Sequence, residues 1–343
     1  MTRIAAVLVI AAVLAGGGAA SRADGAGDPV TGDIYVVSSA GGARHALTNT
    51  AGVYEVQPSL SPDGRSIAYL SYGGIQLMSP DGSNQRPLGT AGGERPLWSP
   101  DGRSLVYSAG NASLCVPPAQ RCVFTDVWTV NADGSGEREV LDGAVHPVWS
   151  PAGRRLAFRD FVVGEGGDVV SSLKFALRDG SDVHTLSRAE AIDGVRSVPA
   201  WSPNGKWIAF NSFNMYERYQ RLFVIRPDGS HRRQLNYGTY PAWSPSGKMI
   251  AFERDHGVWV IPLTGKRARR LSTYGDCPTW SPGGKWIAFL TNRHEVESKL
   301  VIVRPDGRGR RVLGTAANCY SFGWAEPSPP VWSRDGRWIY FVG

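Results

Sequence analysis

Hydrophobic and polar positions alternate in short runs along this chain, and the runs recur within one fixed phrase. The phrase is a proline, a small or apolar residue, usually a tryptophan, a serine, a glycine-bearing turn and an apolar run such as Ile-Ala-Phe. Short apolar runs bounded by proline and glycine predict β-strands rather than helices. Each phrase therefore predicts two strands joined by a tight turn. The seven copies begin at Pro58, Pro96, Pro147, Pro199, Pro241, Pro278 and Pro330.

A second half-unit accompanies each phrase and consists of an apolar strand, a glycine-bearing turn and a more polar strand. Together the two half-units predict a four-stranded antiparallel sheet, and a repeat of this length is typical of one blade of a β-propeller. One such half-unit, Ile34–Leu47, precedes the first phrase, and none follows the seventh, Pro330–Val342. We therefore predict an all-β, seven-bladed β-propeller of four-stranded antiparallel blades, closed by pairing of its N- and C-terminal hairpins.

Residues that recur in every copy are assigned to the fold. The glycine of the turn is present in all seven phrases, which predicts a backbone position with positive φ. The residue before it varies among Asp, Ala, Asn, Ser and Gly, so the aspartates are predicted to form turns and not to bind metal. Tryptophans at a fixed repeat position usually fill the space between blades, although a carbohydrate platform is the rival interpretation.

The first residues resemble a secretory signal. A basic start at Arg3 leads into the apolar segment Ile4–Ala15 and then into small residues. We expect residues 1–23 to be a signal peptide and 24–343 to be one propeller domain, exported to the periplasm or outside the cell. The apolar segment is too short for a permanent span, so no transmembrane segment is expected after cleavage.

The formal charge of the chain of 343 residues is +7, and loss of Arg3 and Arg22 with the leader lowers it by two. This mild excess allows anionic partners without requiring nucleic acid, and none is expected. Four cysteines in an exported chain predict two disulfides. Cys115 can pair with Cys122 nearby, and Cys277 with Cys319 in consecutive repeats. Metal binding is the rival, but no zinc-type spacing accompanies the cysteines.

The non-repeating parts are expected to carry function. In a four-stranded meander, two turns lie on one face and the other connections lie on the opposite face. All the length variation falls on the second face, where binding loops of rigid scaffolds normally lie, although tolerated insertion is the alternative. The long connections are Ala109–Asp126, Arg159–Ser172, Asn211–Arg221, Leu290–Lys299 and Thr315–Pro329.

Residues just before each phrase proline are predicted to ring the mouth of the central channel, as ligand contacts or as a solvated rim. They are Gln57, Glu94, Arg95, His146, Ser197, Tyr240, Asp276 and Glu326. A second candidate, the basic flank, lies on three consecutive outer strands and would suit an anionic cell-envelope polymer, unless its charges only prevent edge aggregation. It comprises Arg232, Arg233, Lys266, Arg267, Arg269, Arg270, Arg308, Arg310 and Arg311.

Motifs of common enzymes are not found. His294-Glu295 is not followed by the second histidine of HExxH, no GxSxG occurs, and no Gly-Lys pair forms a phosphate-binding loop. No catalytic residue, metal ligand or cofactor is assigned.

The phrase PxWSPDGxxIAF followed by VxxxxxDGSxxRxL resembles the TolB-type, WD-repeat-like propeller family, over nearly the whole predicted mature chain. The resemblance implies a periplasmic or extracellular ring that binds proteins through its channel and loop face. The sequence departs from TolB itself, because about ten residues separate the leader from the first strand and seven blades are counted.

We therefore expect a monomeric scaffold that binds a protein or peptide. The alternatives are a lyase or hydrolase acting on an extracellular polysaccharide through the channel ring, and an adhesin that uses the basic flank.

Overall fold

The structure is a computed structural model that describes most of the chain. No helix in the described part is long and apolar enough to cross a membrane. The described residues are 32–71, 74–89, 93–111, 124–163, 169–187, 193–195, 198–214, 220–291, 298–317, 319 and 328–343.

Six blades follow one another along the chain, each with its strands paired antiparallel in sequence order. Blades 1 to 3 contain β3 (Val56–Leu60), β4 (Ile67–Ser71), β5 (Gly74–Met78), β6 (Arg86–Pro87), β7 (Gly93–Trp98), β8 (Ser104–Asn111), β9 (Phe124–Asn131), β10 (Arg138–Leu141), β11 (Ala144–Trp149), β12 (Arg155–Val163), β13 (Val169–Leu177) and β14 (His184–Ser187). Blades 4 to 6 contain β15 (Asp193–Val195), β16 (Ala200–Trp201), β17 (Ile208–Asn214), β18 (Arg221–Ile225), β19 (Arg233–Tyr237), β20 (Thr239–Trp243), β21 (Met249–Arg254), β22 (Gly257–Pro262), β23 (Arg269–Ser272), β24 (Asp276–Trp280), β25 (Ile287–Leu290), β26 (Ser298–Val303) and β27 (Arg311–Ala316).

Blade 7 is built from both ends of the chain. It contains β28 (Val331–Trp332), β29 (Trp338–Val342), β1 (Ile34–Ser38) and β2 (His45–Ala46), with β29 next to β1. The register pairs Ile34 with Val342 and Ser38 with Trp338. This pairing closes the ring and leaves no open edge between the first and last blades. The seven blades and the closure confirm the fold prediction.

The core lies between neighbouring blades, and four of the repeat tryptophans form hydrogen bonds across this boundary. The indole N–H of Trp98 donates to the carbonyl oxygen of Ser59 in the preceding blade at 3.0 Å. The indole N–H groups of Trp149, Trp243 and Trp280 likewise donate to the backbone carbonyl oxygen at the equivalent position of the preceding blade, at 2.9–3.1 Å. These tryptophans therefore join the blades, as expected for core packing.

The tight turns follow one hydrogen-bond scheme. The hydroxyl of Ser99 donates to a carboxylate oxygen of Asp101 at 2.6 Å, and the N–H of Gly102 donates to the carbonyl oxygen of Ser99 at 2.8 Å. The hydrogen bond from Ser61 lowers the pKa of Asp63 in the equivalent turn of blade 1. The repeat aspartates thus accept hydrogen bonds within their own turns, in line with the prediction.

Two features differ from the sequence expectation. Much of the predicted loop Arg159–Ser172 continues a hairpin, because β12 and β13 stay paired out to Val163 and Val169. In blade 4 the first strand is interrupted, since β15 and β16 pair separately with β17. The β12–β13 hairpin is therefore longer than the repeat predicts.

Candidate functional site

The first strands of successive blades contact one another around the whole ring, from β28 through β3 and onward to β24. They therefore form the innermost layer, around the central channel. The turns between first and second strands, and between third and fourth strands, lie on one face. The remaining connections lie on the opposite face, which we call the mouth face.

A repeating backbone feature marks the start of the first strands at the mouth face. Five non-glycine residues that precede a phrase proline have φ between 50° and 57°, in the left-handed region. Each one falls within a register shift between the first and second strands of its blade. Left-handed conformation is unfavourable for residues with a Cβ, so this ring of bulges is held by its surroundings. The five residues are Gln57, Arg95, His146, Tyr240 and Cys277.

Hydrogen bonds between blades hold the first of these bulges. The backbone N–H of Gln57 donates to the Ser328 hydroxyl at 3.0 Å, and its side-chain oxygen accepts from the N–H of Arg95 at 2.7 Å. One blade further on, the N–H of His146 donates to the Ser108 hydroxyl at 3.2 Å. The side chain of one blade thus satisfies the bulged backbone of the next. The proline that follows each bulge is the only sequence signal that marks it.

Several predicted channel residues are more deeply enclosed than a solvated rim requires. Gln57 is 4% exposed, His146 7% and Asp276 1%. A guanidinium nitrogen of Arg159 lies 3.1 Å from Nδ1 of His146. Arginine can only donate, so Nδ1 is the acceptor and the imidazole proton lies on Nε2.

The other predicted channel residues are placed differently. Glu94, Arg95 and Tyr240 are half-buried at the same level of the ring. Ser197 and Glu326 lie outside the described residues. The channel ring is therefore a mixture of inter-blade contacts and partly open polar groups.

A polar cleft of about 440 Å³ opens on the mouth face between blades 4 and 5. Its walls come from the connection between β19 and β20 and from the turn between β21 and β22. The lining residues are Gln220, Tyr237, Gly238, Thr239, Glu253, Arg254, Asp255 and His256. The predicted channel residue Tyr240 directly follows Thr239, one of the lining residues, in the chain. We call the cleft lined by these eight residues the mouth cleft.

The turn at the rim of the mouth cleft is strained. Asp255 and His256 have φ of 50° and 58°, and Arg254 pairs with Gly257 across them. Two-residue hairpin loops with two positive φ values normally contain Asn-Gly or Asp-Gly. A histidine at the second position is therefore unfavourable for the turn itself, and strain of this kind clusters at binding sites.

One arginine of the cleft contacts three neighbouring side chains. Arg254 donates to the side-chain oxygen of Asn236 at 3.0 Å and to a carboxylate oxygen of Asp255 at 3.2 Å. Its guanidinium also lies 5.1 Å from the ring centre of Trp259. Glu253 also lines the cleft, and one of its carboxylate oxygens lies 3.5 Å from the Thr239 hydroxyl. Tyr237, 40% exposed, supplies an aromatic face.

The residues of the basic flank lie on the outer hairpins of blades 4, 5 and 6, and several of the arginines cover aromatic rings. Arg232 lies 4.4 Å from the ring centre of Phe223, and Arg311 lies 4.9 Å from that of Trp286. Arg269 donates to the carbonyl oxygen of Asp306 in the next blade at 2.9 Å.

Cys277 and Cys319 form the predicted disulfide, with their Cα atoms 6.4 Å apart. It joins the first strand of blade 6 to the connection that leads into blade 7. The predicted partners Cys115 and Cys122 lie outside the described residues.

Three carboxylates lie close enough together to bind a cation. Carboxylate oxygens of Asp126, Glu139 and Asp142 lie within 4.8 Å of one another at the outer strands of blade 2. Burial, followed by the two neighbouring aspartates, raises the pKa of Glu139. Asp126 also accepts the N–H of Gly143 at 3.0 Å, so the group takes part in the turn.

Comparison with known families agrees with this architecture. Residues 124–342, more than half of the chain, match the family described as "TolB beta propeller domain". The chain belongs to the TolB β-propeller family. This TolB-type propeller is similar in fold to a putative TolB from Agrobacterium tumefaciens, with 16% identity and a TM-score of 0.56. The match covers 90% of this chain and 96% of that one.

Two further solved structures share the propeller fold. An oligogalacturonate lyase from Vibrio parahaemolyticus has 14% identity to this chain and a TM-score of 0.59. The match covers 76% of this chain and 79% of the lyase. A puromycin-hydrolyzing peptidase of Mycobacterium tuberculosis has 16% identity and a TM-score of 0.60. The match covers 80% of this chain and 48% of the peptidase. At these identities the likeness concerns the fold alone. Among curated proteins, no sequence matches the TolB-type propeller.

Proposed function

We propose that this TolB-type propeller is an exported, monomeric scaffold that binds a protein or peptide segment in the mouth cleft. The observation that carries the proposal is the strained turn at Asp255 and His256 on the rim of that cleft. A turn made from two left-handed, non-glycine residues is less stable than Asp-Gly at the same place. A binding role for the side chains of Asp255 and His256 would explain why the turn does not contain the more stable Asp-Gly.

The size and polarity of the cleft suit part of a peptide. A volume of about 440 Å³ is in the range of sites that enclose a small ligand or a few side chains. The exposed ring of Tyr237 offers the kind of rigid aromatic contact that protein interfaces favour. Asp255 lies in the strained turn at the rim of the cleft, so we propose that the bound segment presents a lysine, an arginine or a free amine to this carboxylate.

Export is supported by two independent features. The leader at 1–23 has the order of basic, apolar and small residues found in secretory signals. The disulfide between Cys277 and Cys319 is of the kind that persists in oxidising compartments.

A random peptide library selected against the purified full chain tests the proposal. We expect enriched peptides to carry a basic residue and to bind Asp255→Asn about tenfold more weakly, since an interfacial charge contact contributes about 1–2 kcal/mol. Asparagine tolerates the left-handed conformation, so this variant keeps the turn. Asp228→Asn, in an exposed turn on the opposite face, is the matched control for loss of one carboxylate. Peptides that bind all three proteins equally would contradict the proposal.

A further inference from the structure

The outer hairpins of the seven blades occupy equivalent positions, so their charges can be compared directly. In blades 4, 5 and 6 they span 226–235, 262–271 and 304–313, and they hold eleven Arg and Lys residues against two Asp. In the other four blades they hold four Arg against six Asp and Glu. Protection of strand edges applies to every blade alike, so it does not explain this concentration. The other four hairpins span 38–47, 79–88, 131–141 and 177–186.

These eleven cations are the basic flank together with Arg226 and Arg304. Ten of them are exposed and Arg233 is half-buried. Within the part of the chain that the structure describes, none of the eleven forms an ion pair with a carboxylate. Outside the flank, Arg178 of blade 3 pairs with Asp101 of blade 2 at 2.7 Å. The flank thus keeps a large net positive charge, with eleven cations against two aspartates.

The guanidinium groups are also held in place. Arg226 and Arg233 lie 5.5 and 5.7 Å from the ring centre of Trp207. In blade 6, Arg304 and Arg311 lie 5.4 and 4.9 Å from that of Trp286, which occupies the same repeat position. Stacking on an aromatic ring orients a guanidinium while leaving its N–H groups at the edge able to donate.

Hydrogen bonds between blades make the three hairpins one continuous surface. Arg233 donates to the carbonyl oxygen of Leu263 in blade 5, and Arg269 donates to that of Asp306 in blade 6. Because seven blades close the ring, three consecutive hairpins follow a convex arc over about two sevenths of its circumference. A ligand that touches all three has to bend around this arc.

We propose that the basic flank binds a flexible polymer of linked phosphate groups that carries no bases. Ten of the eleven cations are arginine, whose forked N–H groups match phosphate oxygens. Closely spaced cations gain most from a polymer of high charge density, which releases the most counterions. A flat membrane would contact only the middle of the convex arc, so it would not reach all three hairpins at once. Strands with bases need aromatic platforms for stacking, and here arginines cover Trp207 and Trp286.

The proposal is tested on the full chain with inorganic polyphosphate as the probe. The flank variant is Lys266→Gln, Arg267→Gln, Arg308→Gln and Arg310→Gln combined, chosen because these exposed side chains make no hydrogen bond or ring contact with the described protein. The matched control removes four exposed cations from turns on the face opposite the mouth face: Arg65→Gln, Arg103→Gln, Lys206→Gln and Lys248→Gln. Both variants have the same net charge.

We expect the flank variant to bind polyphosphate roughly tenfold or more weakly, and its slope of log affinity against log salt to fall by about 3, because four contacts are lost. The control should stay within about twofold of the native chain. Equal losses in both variants, or no binding by the native chain, would overturn the proposal. Tighter binding of oligothymidylate, of polygalacturonate or of phosphatidylglycerol vesicles would overturn it as well. Since none of these variants touches the mouth cleft, the outcome is independent of the peptide-library test.

Discussion

The side-chain oxygen of Gln57 in blade 1 accepts a hydrogen bond of 2.7 Å from the backbone N–H of Arg95 in blade 2. Both residues have a left-handed backbone conformation, with φ of 57°, and both precede a phrase proline. The relationship shows how part of the strained ring at the channel mouth is stabilised, since the bulges at Gln57, Arg95 and His146 each donate to a side chain of the preceding blade.

Shortening this side chain should loosen the ring. Gln57→Asn keeps a residue that tolerates positive φ, but its amide is too short to reach Arg95. We expect a loss of about 1–2 kcal/mol in the free energy of unfolding, because a buried donor then lacks its partner. Urea unfolding measures it, with the exposed Gln234→Asn as control. Equal stability of the two variants would show that the bond contributes nothing.

The repeat tryptophans offer a matched pair. The indole N–H of Trp98 donates to Ser59, whereas that of Trp201 is buried with no hydrogen-bond partner among the described residues. Trp98→Phe should therefore destabilise the chain by about 1 kcal/mol more than Trp201→Phe, since both lose similar apolar area. If thermal unfolding gives the same loss for both, the inter-blade bond is not a source of stability.

The disulfide between Cys277 and Cys319 closes a loop with a sequence separation of 42 next to the composite blade. The double variant Cys277→Ser with Cys319→Ser should lose about 2–4 kcal/mol of stability. Denaturant unfolding of the native chain with and without reductant provides the second measurement. A native chain that is insensitive to reductant would contradict this role.

Glu55 links ring closure to pH. Its side chain is 2% exposed, and burial is the main cause that raises its pKa, assisted by Asp33 and opposed by hydrogen bonds from Thr50 and Thr48. A carboxyl whose pKa is higher in the folded state favours folding at low pH, and this contribution is lost as pH rises through the folded pKa. Glu55→Gln should therefore be more stable than the native chain at pH 8, and the advantage should shrink toward pH 4. A constant difference in melting temperature across this range would exclude the effect.

Repetition explains how much of the fold the sequence predicts. The glycine represented by Gly102 recurs because the turn requires it, so blade count, closure and turn position can be predicted from the phrase. The pairing of Cys277 with Cys319 follows from the same register. Such features are local or depend on equivalent positions in successive blades.

The candidate site depends on contacts that no single repeat encodes. Gln57 and His146 are predicted to ring the channel mouth. In the structure both are buried, and each forms a hydrogen bond with a neighbouring blade. The mouth cleft combines the end of blade 4 with a turn of blade 5, and the strain at His256 depends on the register of its hairpin. Pattern alone locates the mouth face but not the cleft within it.

The central claim is that a partner binds at the mouth cleft, and site-specific photocrosslinking tests it most directly. A photoreactive phenylalanine analogue would replace Tyr237 in the cleft or, as control, Trp338 in blade 7; the two native side chains are 40% and 42% exposed. In the native host we expect a discrete adduct from position 237 that weakens when Asp255→Asn is added, and none from position 338. Adducts from both positions alike, or from position 338 only, would contradict the account.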